Sequence, residues 1–200
     1  MEEKEEIRRV VQTLKEGGVI LYPTDTVWGL GCDATNPEAV ARIFAIKRRP
    51  DSKSLVLLAS DMDMVCRYVR EVPEIAVQLV EVNDKPMTIV YPGALAAESA
   101  EQSDRHLLAA NTVAGDGTVA IRVPLSDFCR RLTAALGRPI VSTSANISGE
   151  PAPAGLDEVS AEVRSAVDCI VDRSFGRGAT GKASSIIKVG LDSSIEIIRK

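Results

Sequence analysis

Ile7, Val10, Val11 and Leu14 recur at i, i+3, i+4 and i+7, which predicts one helical stripe turned to a core and stopped by Gly17 and Gly18. The continuous apolar run at 19–22 predicts a buried strand. Asn36 followed by Pro37 joins an accepting side chain to a ring with helical φ. A second helix is therefore expected through Val40, Ile43 and Phe44 to Lys47, Arg48 and Arg49, with Pro50 ending it. A strand is predicted at 55–58, Ser60 with Asp63 reads as a capping pair for a helix through 65–69, and another helix spans 73–82. Strands are predicted at 87–91, 119–123 and 140–143, with a helix at 128–136 that Gly137 stops. Helical spacing returns at Val159, Val163 and Val167, and short strands follow at 169–171, 185–189 and 195–198. Alternating strands and helices place the chain in the α/β class, as a single domain over residues 1–200: an open, twisted sheet flanked by helices, mixed in pairing at its strand-rich end. The aperiodic stretch 92–117 reads as a mobile loop or a lid.

Composition narrows this picture. With 200 residues, 45% of them hydrophobic, there is material for one core, and at 4% aromatic that core must be built from Val, Ile, Leu and Ala. A net charge of −4 disfavours a broad polyanion-binding surface, so any nucleotide or RNA contact must be local. Cys32, Cys66, Cys129 and Cys169 form no paired motif and His106 is the single histidine, so no metal site is expected and the cysteines read as small buried hydrophobes in a reducing compartment. The acidic, amphipathic start and the lack of a membrane-spanning apolar run lead to the expectation of a cytoplasmic protein without membrane contact.

Three segments could carry chemistry. The first, YPTDTVWGLG at 22–31, brings hydroxyls and backbone N–H groups into a turn after a strand. It can hold a small polar ligand or merely satisfy its own backbone, and Trp28 alone reads as core. In the second, Lys47, Arg48 and Arg49 cluster cations at a helix end, which suits a triphosphate or simply complements the helix dipole. The third, STSANISG at 142–149, sets short polar side chains at the C-terminal end of a strand, where open α/β sheets bind ligands. Residues 176–183 imitate a P-loop, but Ala183 lacks the magnesium-binding hydroxyl and the next segment reads as a strand, so that assignment is rejected. No nucleophile-and-base arrangement emerges, which leaves orientation and electrostatic stabilisation as the available chemistry.

Taken in order, YPTDTVWGLG, KRRP followed by LVLLAS, AIRVP at 120–124 and STSANISGEP resemble the signatures of the YrdC-type threonylcarbamoyl-AMP synthase family in its short form. That resemblance implies a twisted α/β sheet with a positively lined cavity in which ATP, L-threonine, bicarbonate and Mg2+ meet. It implies Lys47 and Arg49 as catalytic, phosphate-binding cations with Arg48 pointing elsewhere. Thr24, Arg122, Ser144 and Ser184 match threonine positions, and Asp51, Thr118, Asn146 and Arg199 fall at ATP positions. The product would pass to a downstream tRNA threonylcarbamoyl transferase complex, with at most weak RNA contact by this chain. The sequence departs from the family pattern in DKPMT at 84–88 and in Ala183-Ser184-Ser185. Residues 92–117 and 175–182 are candidate lids over an unstable mixed anhydride. Two other functions fit the same residues: an RNA-binding module, against which the acidic charge and scarce aromatics count, and a carbamoyl-transfer domain.

Overall fold

The computed structural model describes residues 2–49, 55–98 and 106–200. Its helices are α1 (Glu3–Lys15), α2 (Pro37–Lys47), α3 (Met62–Tyr68), α4 (Glu74–Val82), α5 (Asp127–Leu136) and α6 (Ala161–Ser165). The strands are β1 (Ile20–Pro23), β2 (Trp28–Gly31), β3 (Val56–Leu58), β4 (Met87–Tyr91), β5 (Val119–Arg122), β6 (Ile140–Ser144), β7 (Cys169–Ile170), β8 (Ser185–Val189) and β9 (Ile195–Arg199). They form a nine-stranded sheet in the order β7-β1-β2-β6-β3-β5-β4-β8-β9. Pairing is mixed as expected: β1 with β7, β3 with β5 and β4 with β8 run parallel, and the other neighbours antiparallel.

Side chains alternate across a strand, so the register sorts residues between two faces. Leu21, Leu30, Leu57, Val141, Ile121, Ile89 and Ile187 share one face and pack with Val40, Ile43 and Phe44 of α2 and Met64, Val65 and Tyr68 of α3. On the opposite face, Ile20, Tyr22, Leu58 and Ile140 are covered by Val10, Val11 and Leu14 of α1 and by Phe128, Cys129, Leu132 and Leu136 of α5. Each such fully buried aliphatic side chain contributes about 1.5–3 kcal/mol of transfer free energy. Helices α1 and α5 cover only one end of that face. Gly29, Val56, Val90, Ala120, Ser142 and Ile186 continue it beyond the helices and line an open cavity instead.

The local chemistry explains most boundaries. The Asn36 side chain accepts from the backbone N–H groups of Glu38 and Ala39 at 3.0 and 3.1 Å, as its place before Pro37 predicts. Gly137 ends α5 at φ 76°. Where Ser60 was expected to cap α3, Asp61 does so: its carboxylate accepts from Met64 N–H at 2.8 Å, and the Ser60 hydroxyl donates to Asp61. A carboxylate is the better acceptor beside the positive helix end. Segment 22–31, read as a turn, is a hairpin whose second arm is β2. The spacing of Val159, Val163 and Val167 yields only the short α6 after a 3-10 turn at Leu156–Glu158.

Within 92–117, residues 92–98 and 106–117 are fastened to the body. Leu95 N–H donates to Tyr68 O and Ala109 N–H to Ala34 O, both at 2.9 Å, and Leu108, Ala109 and Thr112 are buried. Cys32, Cys129 and Cys169 are buried thiols, whereas Cys66 is exposed on α3, contrary to expectation. His106 is exposed. Residues 185–189 form strand β8, which is incompatible with a P-loop helix after Lys182. Among the described residues no helix is long and apolar enough to cross a membrane.

Candidate active site

The cavity over the bare half of the sheet has a volume of about 350 Å3. Its floor is small and apolar, from Gly29, Val56, Val90 and Ala120, and its walls are lined by Thr24, Thr26, Ser142, Ser144 and Ser184, with Thr143 beside them. Among the described residues three cations reach it, Arg49, Arg122 and Arg199, and no carboxylate lines it. Burial lowers the pKa of Arg49, and burial followed by repulsion from Arg122 lowers that of Arg199. Both guanidiniums stay charged at any physiological pH, so the cavity holds concentrated positive charge inside an acidic protein.

The β1–β2 turn builds the first wall. Thr24 Oγ1 donates to Val27 O at 2.7 Å, lies 2.8 Å from Thr26 Oγ1 and accepts from Thr26 N–H. The threonines thus satisfy their own backbone, as one reading of this turn had it, and they also line the cavity. Trp28 packs in the core. Arg122, at the end of β5, is 4% exposed and pairs with Asp25 at 2.6 Å. Asp25 lay within the quoted motif, yet nothing in the sequence joined it to a cation 97 residues away.

Helix α2 ends at Lys47, and Arg48 adopts left-handed φ 48°, with the N–H groups of Arg48 and Arg49 returning to Ala45 O and Phe44 O. This break separates the three cations. Arg48 points away and pairs with Glu162 in solvent. Arg49 lines the cavity. Lys47 does not: it is 2% exposed, and its ammonium donates to Ser144 O at 2.6 Å, Asn146 O at 2.8 Å and Asn146 Oδ1 at 3.2 Å. The Lys47 charge thus fixes the loop after β6, and Asn146, which also donates to Glu150 O, belongs to that clamp instead of the cavity lining.

Ser184 lines the cavity, its hydroxyl 2.8 Å from Thr88 Oγ1, and its carbonyl accepts from Nε and Nη2 of Arg199 at 2.9 and 2.6 Å. Thr118 is buried with its hydroxyl on Asp116 and lies outside the lining. Asp51 falls outside the described residues. The structure therefore brings Thr24, Arg49, Arg122, Ser144, Ser184 and Arg199 together, and adds Thr26, Ser142 and Thr143, which the candidate segments contained without an individual role. Among the described residues no group of three His, Cys, Asp or Glu could hold a metal ion.

The profile of the Sua5/YciO/YrdC family, described as telomere recombination, matches residues 12–200. The chain belongs to this family. It is 36% identical over 172 residues to a threonylcarbamoyl-AMP synthase of Vibrio cholerae, covering 84% of this chain and 85% of that one. The solved structure of P. abyssi Sua5 complexed with L-threonine superposes with a TM-score of 0.78 at 31% identity over 94% of this chain, which spans about half (52%) of that longer protein. E. coli YciO superposes with a TM-score of 0.75 at 25% identity, covering 100% of this chain and 90% of YciO. The mixed sheet with an open, hydroxyl-rich and arginine-rich cavity is thus the Sua5/YciO/YrdC fold.

Proposed function

We infer that this chain is an L-threonylcarbamoyladenylate synthase, a nucleotidyltransferase that condenses L-threonine, bicarbonate and ATP for threonylcarbamoyladenosine formation in tRNA. The observation that carries this reading is a cavity lined by three arginines together with threonines and serines, in a relative of proteins bearing that name. The threonine amine adds to bicarbonate with loss of water, giving a carbamate. A carbamate oxygen then attacks the α-phosphorus of ATP, the bond to the β-phosphate oxygen breaks, and pyrophosphate leaves. Both reactants are anions, so the side chains must lower their mutual repulsion and stabilise charge on the phosphoryl oxygens.

Arg122, with Thr24 and Ser184 beside it, suits the threonine end. Arg49 and Arg199 suit the phosphates, since guanidiniums bind phosphoryl oxygens through two N–H groups at once. Lys47 acts on the same ligands through the 144–146 loop it holds, and Asn146 and Ser144 set that loop's shape. Asp51 and Thr118 are assigned to the adenosine side by resemblance alone. Magnesium enters as part of the MgATP substrate, carried by phosphate oxygens, and hydroxyls such as Ser144 are the groups here that could meet it. The product passes to a tRNA threonylcarbamoyl transferase complex in the cytoplasm.

Pyrophosphate release measured with each substrate omitted in turn tests the reading. Turnover should require ATP, L-threonine and bicarbonate together. Equal release without threonine, or without bicarbonate, would exclude it.

A further inference from the structure

The guanidinium of Arg122 is buried, but few of its N–H groups are held. Nη1 donates to Asp25 Oδ1 at 2.6 Å, Nη2 reaches Thr26 Oγ1 only at 3.4 Å, and Nε is buried with no partner. One short, charge-assisted bond therefore fixes its orientation. The second oxygen of Asp25 is occupied as well, accepting from Leu125 N–H at 2.9 Å. The backbone on either side of this carboxylate is also engaged: Asp25 O accepts from Thr180 N–H at 3.0 Å and Thr26 O from Gly181 N–H at 2.8 Å. Those two residues dock the glycine-rich strap that continues into Ala183 and Ser184 on the cavity wall.

We propose that Asp25, which does not line the cavity, is a positioning residue: it aims Arg122 at the anionic end of the amino-acid substrate and ties the 180–184 strap to the same turn. A carboxylate is required because it offers an acceptor to each of two donors, Arg122 and Leu125 N–H. Asparagine has a single carbonyl oxygen and would turn its NH2 toward the other donor. Asp25 also brings negative charge to a cavity otherwise lined by three arginines. The assignment rests on the synthase reading above for the identity of the substrate, and on geometry alone for the pairing.

Calorimetric titration of L-threonine into the wild-type protein, Asp25→Asn, Arg122→Gln and the double variant forms a cycle. Each single change should weaken threonine at least about tenfold, and the double variant should be no weaker than Arg122→Gln, because contacting residues that act through one another are not additive. ATP affinity should move by less than about threefold in Asp25→Asn, a selectivity that general loss of structure would not give. Wild-type threonine affinity in Asp25→Asn, multiplicative losses in the double variant, or equal loss of ATP and threonine would each overturn the proposal. If Asp25→Asn does not fold, the double variant, which removes both charges, is compared with Arg122→Gln, and any further loss of threonine binding overturns it. If the wild-type protein binds no threonine, the functional reading has failed, and the Arg122 Nε–H proton signal decides the pairing separately. Its exchange with water should be slow in the wild type and fast in Asp25→Asn; unchanged protection in that variant overturns the assignment.

Discussion

Lys47 is a cation almost wholly removed from water, and its surroundings pull it two ways. Three acceptors on Ser144 and Asn146 hold the ammonium, while burial first and the charge of Arg49 second lower its pKa from the ordinary 10.5 to about 8. The folded state thus releases this proton before the unfolded chain does. Between about pH 8 and 10.5 the unfolded chain binds more protons, so the contribution of Lys47 to stability rises with pH across that window, and its penalty is fully present below pH 8. The rise has an upper bound of about 3 kcal/mol. Urea unfolding of the wild-type protein and of Lys47→Met, stepped from about pH 7 to 10, isolates it because the other titrating groups are common to both. The stability difference, wild type minus variant, should climb above about pH 8, and a flat or falling difference would contradict the assignment. The sequence pointed to a break at Arg49, since Pro50 disfavours helical geometry at the residue before it, but it led to the expectation that Lys47 and Arg49 share one phosphate target, whereas only Arg49 reaches the cavity. It did not reveal that Lys47 turns inward to carbonyls 97 and 99 residues away, because no local pattern encodes so distant an acceptor.

Among the elements, helices with full apolar stripes and explicit caps were legible, and so were the continuous apolar strands. The hairpin arm β2 was not, because two of its four residues are glycines and glycine carries almost no strand signal. The structure supplies the reason for Gly31. A Cβ there would lie 2.7 Å from Tyr22 Cε1, 2.9 Å from Val141 O and 3.1 Å from Ile140 Cγ2, so the ring of Tyr22 occupies the space a side chain would need. Two of those neighbours belong to β6, the strand that delivers Ser142 and Ser144, so overpacking at Gly31 should spread into the cavity wall. Gly31→Ala should cost about 1–3 kcal/mol, the range for overpacking a close-packed core. Urea unfolding checks this, and a variant within about 0.5 kcal/mol of wild type would mean that the Tyr22 ring moves aside freely. The Asp61 cap and the brevity of α6 escaped for a different reason: Ser60 and Asp61 are adjacent capping residues, and Val159 is buried and Val167 partly buried by tertiary packing without extending the helix.

At the scale of the whole molecule, the net charge of −4 and the arginine-lined cavity pull in opposite directions. The acidic exterior turns away extended polyanions, while Arg49, Arg122 and Arg199 converge on a bare stretch of sheet that α1 and α5 leave open. Gathering three guanidiniums costs free energy that a bound anion returns, so a small polyphosphate should stabilise the fold as it binds. For a ligand that binds the folded state alone, the gain is about 2.7 kcal/mol at a hundredfold excess over Kd, which for a chain of this size corresponds to roughly 5–11 °C in melting temperature. Inorganic pyrophosphate, the expected product, should raise the melting temperature by this order, and sodium chloride at equal ionic strength should do far less because it only screens. Arg199 reaches the cavity while anchored to Ser184 O, so its removal should weaken the anion without unpacking the core. A tenfold loss of affinity in Arg199→Ala removes about 1.4 kcal/mol of that stabilisation at saturation, or roughly 3–5 °C of the shift. A pyrophosphate shift matched by sodium chloride, or left whole in Arg199→Ala, would mean that the positive charge is spread diffusely over the surface instead of being focused where the reaction needs it.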